Sequence, residues 1–187
     1  VKGGTLPDGT VSDIAIRGDR IVATGRVEGA AREVIDATGD LVSPPFVDPH
    51  FHMDATLSYG IPRVNGSGTL LEGIALWGEL RELASVEDMV ARALTYCDWA
   101  ASMGLLAIRS HVDTPPDPLR TVEAMLEVRR RVAGYIDLQL VAFLQVGLSR
   151  SRTGREYLIL SLIHISEPTR PYSISYAVFC SNNKKNQ

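Results

Sequence analysis

The residues best suited to chemistry are two histidines separated by one position, His50-Phe51-His52. On a strand, side chains at i and i+2 point to the same side. The pair can therefore offer two imidazoles to one point, and a zinc–nitrogen bond of about 2.0–2.1 Å demands such convergence. Pro44-Pro-Phe-Val-Asp-Pro before the pair and Asp54 after it strengthen a metal reading. The alternative is two exposed loop histidines. The other two histidines of the chain are His111 and His164. Two cysteines, Cys97 and Cys180, are too few for a disulfide framework or a Cys-rich zinc site. Cys97 lies on an apolar helical stripe and reads as a small core residue. The His-x-Glu and Pro-Cys-x-x-Cys signature of zinc-dependent nucleobase deaminases is absent.

The elements that must position His50 and His52 are legible in the surrounding pattern. Residues 1–43 carry short β-like runs between the turn signals Asp8-Gly9, Gly18-Asp19 and Gly39-Asp40. Val11–Arg17, Arg20–Thr24 and Glu33–Asp36 read as small antiparallel strands. From Pro44 the pattern changes. Phe46–His52 reads as a strand, Leu70–Leu83 as a helix, and Ser85 with Asp88 as the capping box of a second helix. That helix shows Val90, Ala93, Leu94, Cys97 and Ala101 on one face and stops at Gly104. Leu105–Val112 is a strand. Asp117-Pro118 opens a third helix that Gly134 closes. Ile136–Phe143 is a nearly continuous apolar run, as expected of a parallel strand covered on both faces. The order β, α, α, β, α, β implies a parallel sheet. His50 and His52 then sit at the strand end where parallel barrels build their sites.

Composition bounds the classes. The 187 residues carry 19 Lys and Arg against 22 Asp and Glu, a net charge of −3. That balance argues against a nucleic-acid partner. At 45% hydrophobic the chain is globular rather than disordered. No apolar run reaches membrane-spanning length and no signal-peptide pattern opens the chain, so no membrane association and a cytoplasmic location are expected.

Val47-Asp-Pro-His-Phe-His-Met-Asp resembles the first barrel strand of the amidohydrolase superfamily. Asn65-Gly-Ser-Gly-Thr-Leu-Leu-Glu-Gly-Ile, Arg109-Ser-His-Val-Asp and Asp137-Leu-Gln-Leu-Val-Ala-Phe-Leu-Gln narrow the resemblance to the cytosine deaminase branch, from the N-terminus to about Leu158. The resemblance implies an α/β fold: an incomplete (β/α)8 TIM barrel, holding the first three strands, preceded by part of a small β-sandwich. It implies one divalent metal ion, Fe2+ or Zn2+, and hydrolytic deamination of cytosine-like cyclic amidines by a metal-activated water, a role in pyrimidine metabolism. The partner implied is a small heterocyclic substrate, and a homo-oligomeric parent fits the branch. His50 and His52 match the first two metal ligands. Gln145 matches the glutamine that hydrogen-bonds the pyrimidine edge, and Leu70 a position whose backbone faces substrate. Without the resemblance, Gln145 reads as a solvated loop residue and Leu70 as a helix-start core residue. His111 reads equally as a group supporting the ligands from behind or as a hydrogen-bonded structural histidine. The family has Pro where Leu144 stands and an acidic residue where Val146 stands.

The family's third His, its Asp and its proton-shuttling Glu in a His-x-x-Glu pattern belong to later strands. They are expected to lie outside this chain, which then carries no catalytic residue of its own. The expected organisation is residues 1–43 as partial β-sandwich, 44–158 as the first β/α units of the barrel and 159–187 as a non-native tail. The run Leu160-Ser-Leu-Ile-His-Ile-Ser-Glu-Pro-Thr-Arg170 matches a one-frame translation of a transposase adapter used in preparing DNA for sequencing. On that reading the chain is an inactive N-terminal fragment, His164 is no ligand and Cys180 has no redox role. Two alternatives stand beside the deaminase: a ring-opening amidohydrolase of the dihydroorotase or hydantoinase kind, and a truncated product that is not an enzyme.

Overall fold

The computed structural model describes residues 1–114 and 119–145, together with Glu156 and Ile159. The chain divides into two compact units that meet in sequence at Pro45 and Phe46.

In the first unit, β1 (Gly4–Thr5), β2 (Val11–Arg17) and β3 (Arg20–Gly25) form an antiparallel sheet in that order. Arg17 pairs with Arg20 across a two-residue turn. Gly18 takes φ of +62° at its first position, which a type II′ hairpin requires. Gly4 packs so closely that a Cβ there would stand 2.5 Å from Cγ2 of Val42. Glu33–Asp36 is not a strand. Asp36 makes only an isolated bridge to Lys2. Its side chain instead accepts from the amide (3.0 Å) and hydroxyl (2.6 Å) of Thr38. A local Asx turn thus outcompetes strand pairing.

The second unit is built on a parallel sheet of β4 (Phe46–Phe51), β5 (Leu105–Asp113) and β6 (Asp137–Phe143), in sequence order. Three helices connect them: α1 (Leu70–Leu83) and α2 (Val86–Ser102) between β4 and β5, and α3 (Arg120–Val132) between β5 and β6. The first two starts have a local cause. Thr69 accepts from the amide of Glu72 at the head of α1. Ser85 and Asp88 close the expected capping box at the head of α2. Beyond α2, Gly104 adopts φ of +81°, the left-handed residue that ends a helix at low cost. The head of α3 differs from expectation. Leu119 stands at its N-cap with no side-chain cap, and Asp117-Pro118 lies outside the described residues.

The core lies between the helices and one face of the sheet. Met89, Ala93 and Cys97 of α2 pack with Val122, Met125 and Val128 of α3 against Ile108, Val112, Leu138 and Leu140. The expected cover on both faces of β6 is not seen among the described residues. Leu138 and Leu140 are buried, while Asp137 and Gln139 are exposed. On that open face Arg109 Nε donates to Gln139 Oε1 at 2.6 Å. The fold is therefore mixed α/β with three adjoining parallel strands, and the described residues do not close a barrel. No helix among them is long and apolar enough to cross a membrane. The tail proposed at 159–187 falls, Ile159 apart, outside the described residues.

Candidate active site

His50 and His52 emerge where β4 ends. Pro49 has no amide to give the ladder, and the pairing of β4 with β5 shifts register between Asp48 and Phe51. The amide of His50 turns instead to Oδ1 of Asp48, at 3.1 Å. The strand stops at Phe51, so His52 is not part of it. His52 is the N-cap of a single 3-10 turn, Met53–Ala55. That turn is anchored from beneath, because the buried amide of Met53 donates to Oγ of Ser110 at 3.0 Å.

The geometry tests whether the pair suits a metal ion. A zinc–nitrogen bond of about 2.0–2.1 Å sets two ligating rings roughly 5.2 Å apart, centre to centre, at a tetrahedral angle. The ring centres of His50 and His52 are 5.4 Å apart. This pair fits two positions of a metal shell. His111 joins the same cluster but stacks on His50, with centres 4.0 Å apart and planes at 29°. That is too close and too parallel for both rings to face one ion. Among the described residues no three His, Cys, Asp or Glu side chains are grouped to hold one metal. His50 and His52 would therefore hold the ion with further ligands from elsewhere.

The electrostatics suit neutral imidazole. Burial lowers the pKa of His52, the neighbouring His50 lowers it further, and Asp113 pulls weakly the other way. Burial likewise lowers His111, helped by His50 and His52. The Nδ1 atom of His111 is buried with no hydrogen-bond partner. Phe143, at the end of β6, covers the cluster edge-on, its ring 5.3 Å from that of His52.

Asp54 and Asp113 form the floor. Asp54 is buried, and its carboxyl is pushed up to about 7, chiefly by that burial. Its Oδ2 accepts from the amide of Asp113 at 2.8 Å. Asp113 in turn uses both its oxygens. Oδ2 accepts from Trp77 Nε1 at 2.9 Å and Arg81 Nη1 at 2.7 Å, both on α1. Oδ1 accepts from the amide of Gln145 at 3.2 Å. Gln145 is half-buried just beyond β6. Leu70 opens α1 and is 78% exposed, so its side chain is not core; its backbone follows the Thr69 cap.

Sequence reasoning missed the roles of Asp54, Trp77, Arg81 and Asp113. The available signal was an acidic residue two positions beyond His111, ending a strand that begins with the apolar run Leu105–Ile108. It also overlooked that His164-Ile-Ser-Glu167 has His-x-x-Glu spacing. That stretch lies within the adapter-like run and outside the described residues.

The chain is 32% identical over 148 residues to N-isopropylammelide isopropyl amidohydrolase of Pseudomonas sp. (strain ADP), covering 74% of this chain and 36% of that protein. Its structure is similar to that of 5-methylcytosine deaminase from Klebsiella pneumoniae bound to 5-fluorocytosine. That match has a TM-score of 0.79 and 36% identity, over 86% of this chain and 40% of that one. A shorter stretch of 56 residues is 45% identical to allantoinase of Escherichia coli (strain K12 / DH10B), covering 28% of this chain and 12% of that protein. The chain thus spans well under half the length of these relatives. Residues 33–161 match the model of the Amidohydrolase family, a span that takes in the histidine pair, the three parallel strands and Gln145. With that match over most of its length, the chain belongs to the amidohydrolase family.

Proposed function

We propose that the full-length gene product is a metal-dependent deaminase of cytosine-like cyclic amidines. The observation that carries this reading is the likeness to 5-methylcytosine deaminase over 86% of the chain. The histidine pair at the end of β4 supports it. His50 and His52 hold the divalent ion, Fe2+ or Zn2+, which when bound supplies the polarisation that activates water for hydrolysis. His111 stacks behind His50 and limits its rotation. The side-chain amide of Gln145 reads the polar edge of the pyrimidine ring, and the Leu70 backbone borders the substrate. Phe143 borders the site edge-on to His52, while His50 stays exposed. The chain of 187 residues by itself is without turnover and holds metal weakly, since a catalytic zinc takes about three protein ligands and the described residues supply two.

The testing experiment is a substrate panel on the full-length gene product. Cytosine, 5-methylcytosine and N-isopropylammelide are compared with dihydroorotate, hydantoin and allantoin, following amine release and ring opening separately. Amine release from the pyrimidines is expected. Ring opening alone would establish instead the second reading, a ring-opening cyclic amidohydrolase, which has the short allantoinase likeness on its side. Chelator-sensitive turnover by the 187-residue chain would reject the claim that it is inactive.

A further inference from the structure

We propose that Asp113 is a positioning residue that sets substrate discrimination by holding Gln145 and α1 in one register. The proposal rests on the deaminase reading and deepens it. Asp113 is 2% exposed and touches neither histidine of the pair by hydrogen bond. Its carboxylate instead joins two segments that both border the proposed substrate site. One oxygen fixes α1, the helix that Leu70 opens, through Trp77 and Arg81. The other fixes the main chain at Gln145. Its own backbone is clamped on both sides: its amide donates to Asp54 and its carbonyl accepts from Thr121 Oγ1 at 2.6 Å. Next to it, the Thr114 amide donates to the Phe143 carbonyl at 2.8 Å, which ties the end of β5 to the end of β6.

The chemistry of the carboxylate is what this place needs. An ionised carboxylate is acceptor-only on both oxygens, and all three groups facing it are donors. Arg81 balances its charge in a largely buried pair. Asparagine has the same shape but one donor end. Placed here, it must turn an N–H toward either Arg81 and Trp77 or the Gln145 amide, which leaves a buried donor unpaired. The arrangement therefore explains an acid, and not merely a polar residue, at this strand end.

The experiment uses the full-length gene product and the variants Asp113→Asn, Gln145→Ala, their double, and Trp77→Phe. Metal content, kcat and KM for cytosine and for 5-methylcytosine, and hydrogen exchange at the residue 145 amide are measured in each. Asp113→Asn is expected to keep parental metal content, to lose about tenfold to hundredfold in kcat/KM, and to speed exchange at Gln145. The double variant is expected to lose clearly less than the product of the two single losses, because the part of the Asp113 effect that runs through Gln145 is already gone. Losses that multiply in the double variant overturn the proposal. So does metal loss in Asp113→Asn. Trp77→Phe removes one donor and leaves Arg81, so it is expected to fold and to show a smaller loss in the same direction. Unchanged Gln145 exchange in both Asp113→Asn and Trp77→Phe overturns the proposal without reference to activity. If the parent deaminates none of the pyrimidines, the deaminase reading fails. If the parent deaminates them and the double-variant coupling is absent, only the role of Asp113 fails.

Discussion

Each imidazole of the pair has its own support. His50 is braced by the ring of His111, and His52 by the turn that Ser110 anchors. In the full-length gene product, His50→Ala or His52→Ala is expected to lower metal content and activity together, read by elemental analysis beside turnover. Full occupancy in either variant removes that residue from the metal shell. Gln145→Ala is expected to retain metal and lose about 1–3 kcal/mol of discrimination, the cost of a lost hydrogen bond to a buried polar edge. Cys97 is fully buried, and burial pushes its thiol up to about 11. At pH 8 roughly one thiol in a thousand is then ionised. In a Cys180→Ser background, Ellman's reagent is expected to leave Cys97 unmodified until denaturant is added; labelling in the native state would contradict its core position. At this scale the sequence was readable where spacing did the work. His50, on β4, and His52, just beyond its end, stand two positions apart in the chain. Asp113 finds its partners 32 to 36 positions away, and no local pattern announces such a meeting.

Helices were the most legible elements because caps are local. Leu70–Leu83 has the expected ends, and Ser85 with Asp88 forms the expected box. Replacing Ser85 by Ala is expected to cost about 1 kcal/mol, read from urea unfolding. Gly104→Ala is expected to cost about 1–2 kcal/mol for a different reason. A Cβ there would meet Phe46 at an ordinary 3.7 Å, so the penalty lies in the positive φ and not in a clash. An equal loss in Gly104→Asn, which tolerates that backbone, would point to packing instead. Strands were harder. Glu33–Asp36 failed because Asp36 and Thr38 satisfy one another locally, a competition that alternation of apolar residues does not register. β4 ended one residue early because His52 opens the 3-10 turn Met53–Ala55.

The element order carried the parallel sheet, since helices between strands demand crossovers. Closure was not legible in the same way, because covering the far face depends on residues remote in sequence. Phe46 and Val47 are exposed at 68% and 64%. β4 and β6 form the two edges of the sheet among the described residues. Open edges and exposed apolar surface favour pairing with another chain. The 187-residue chain, purified alone, is therefore expected to associate with rising concentration in sedimentation velocity and to bind an apolar dye. A monomer that binds no dye would show that these surfaces are covered.

The stack of His50 on His111 has a magnetic consequence. Two aromatic rings 4.0 Å apart and nearly parallel place the carbon-bound protons of each in the other's shielding cone. Both imidazoles should then resonate upfield of free histidine. An ion captured between His50 and His52 fixes the tilt of one ring and so alters the shielding felt by the other. Metal loading would be visible as a shift of His111, a residue that need not touch the ion.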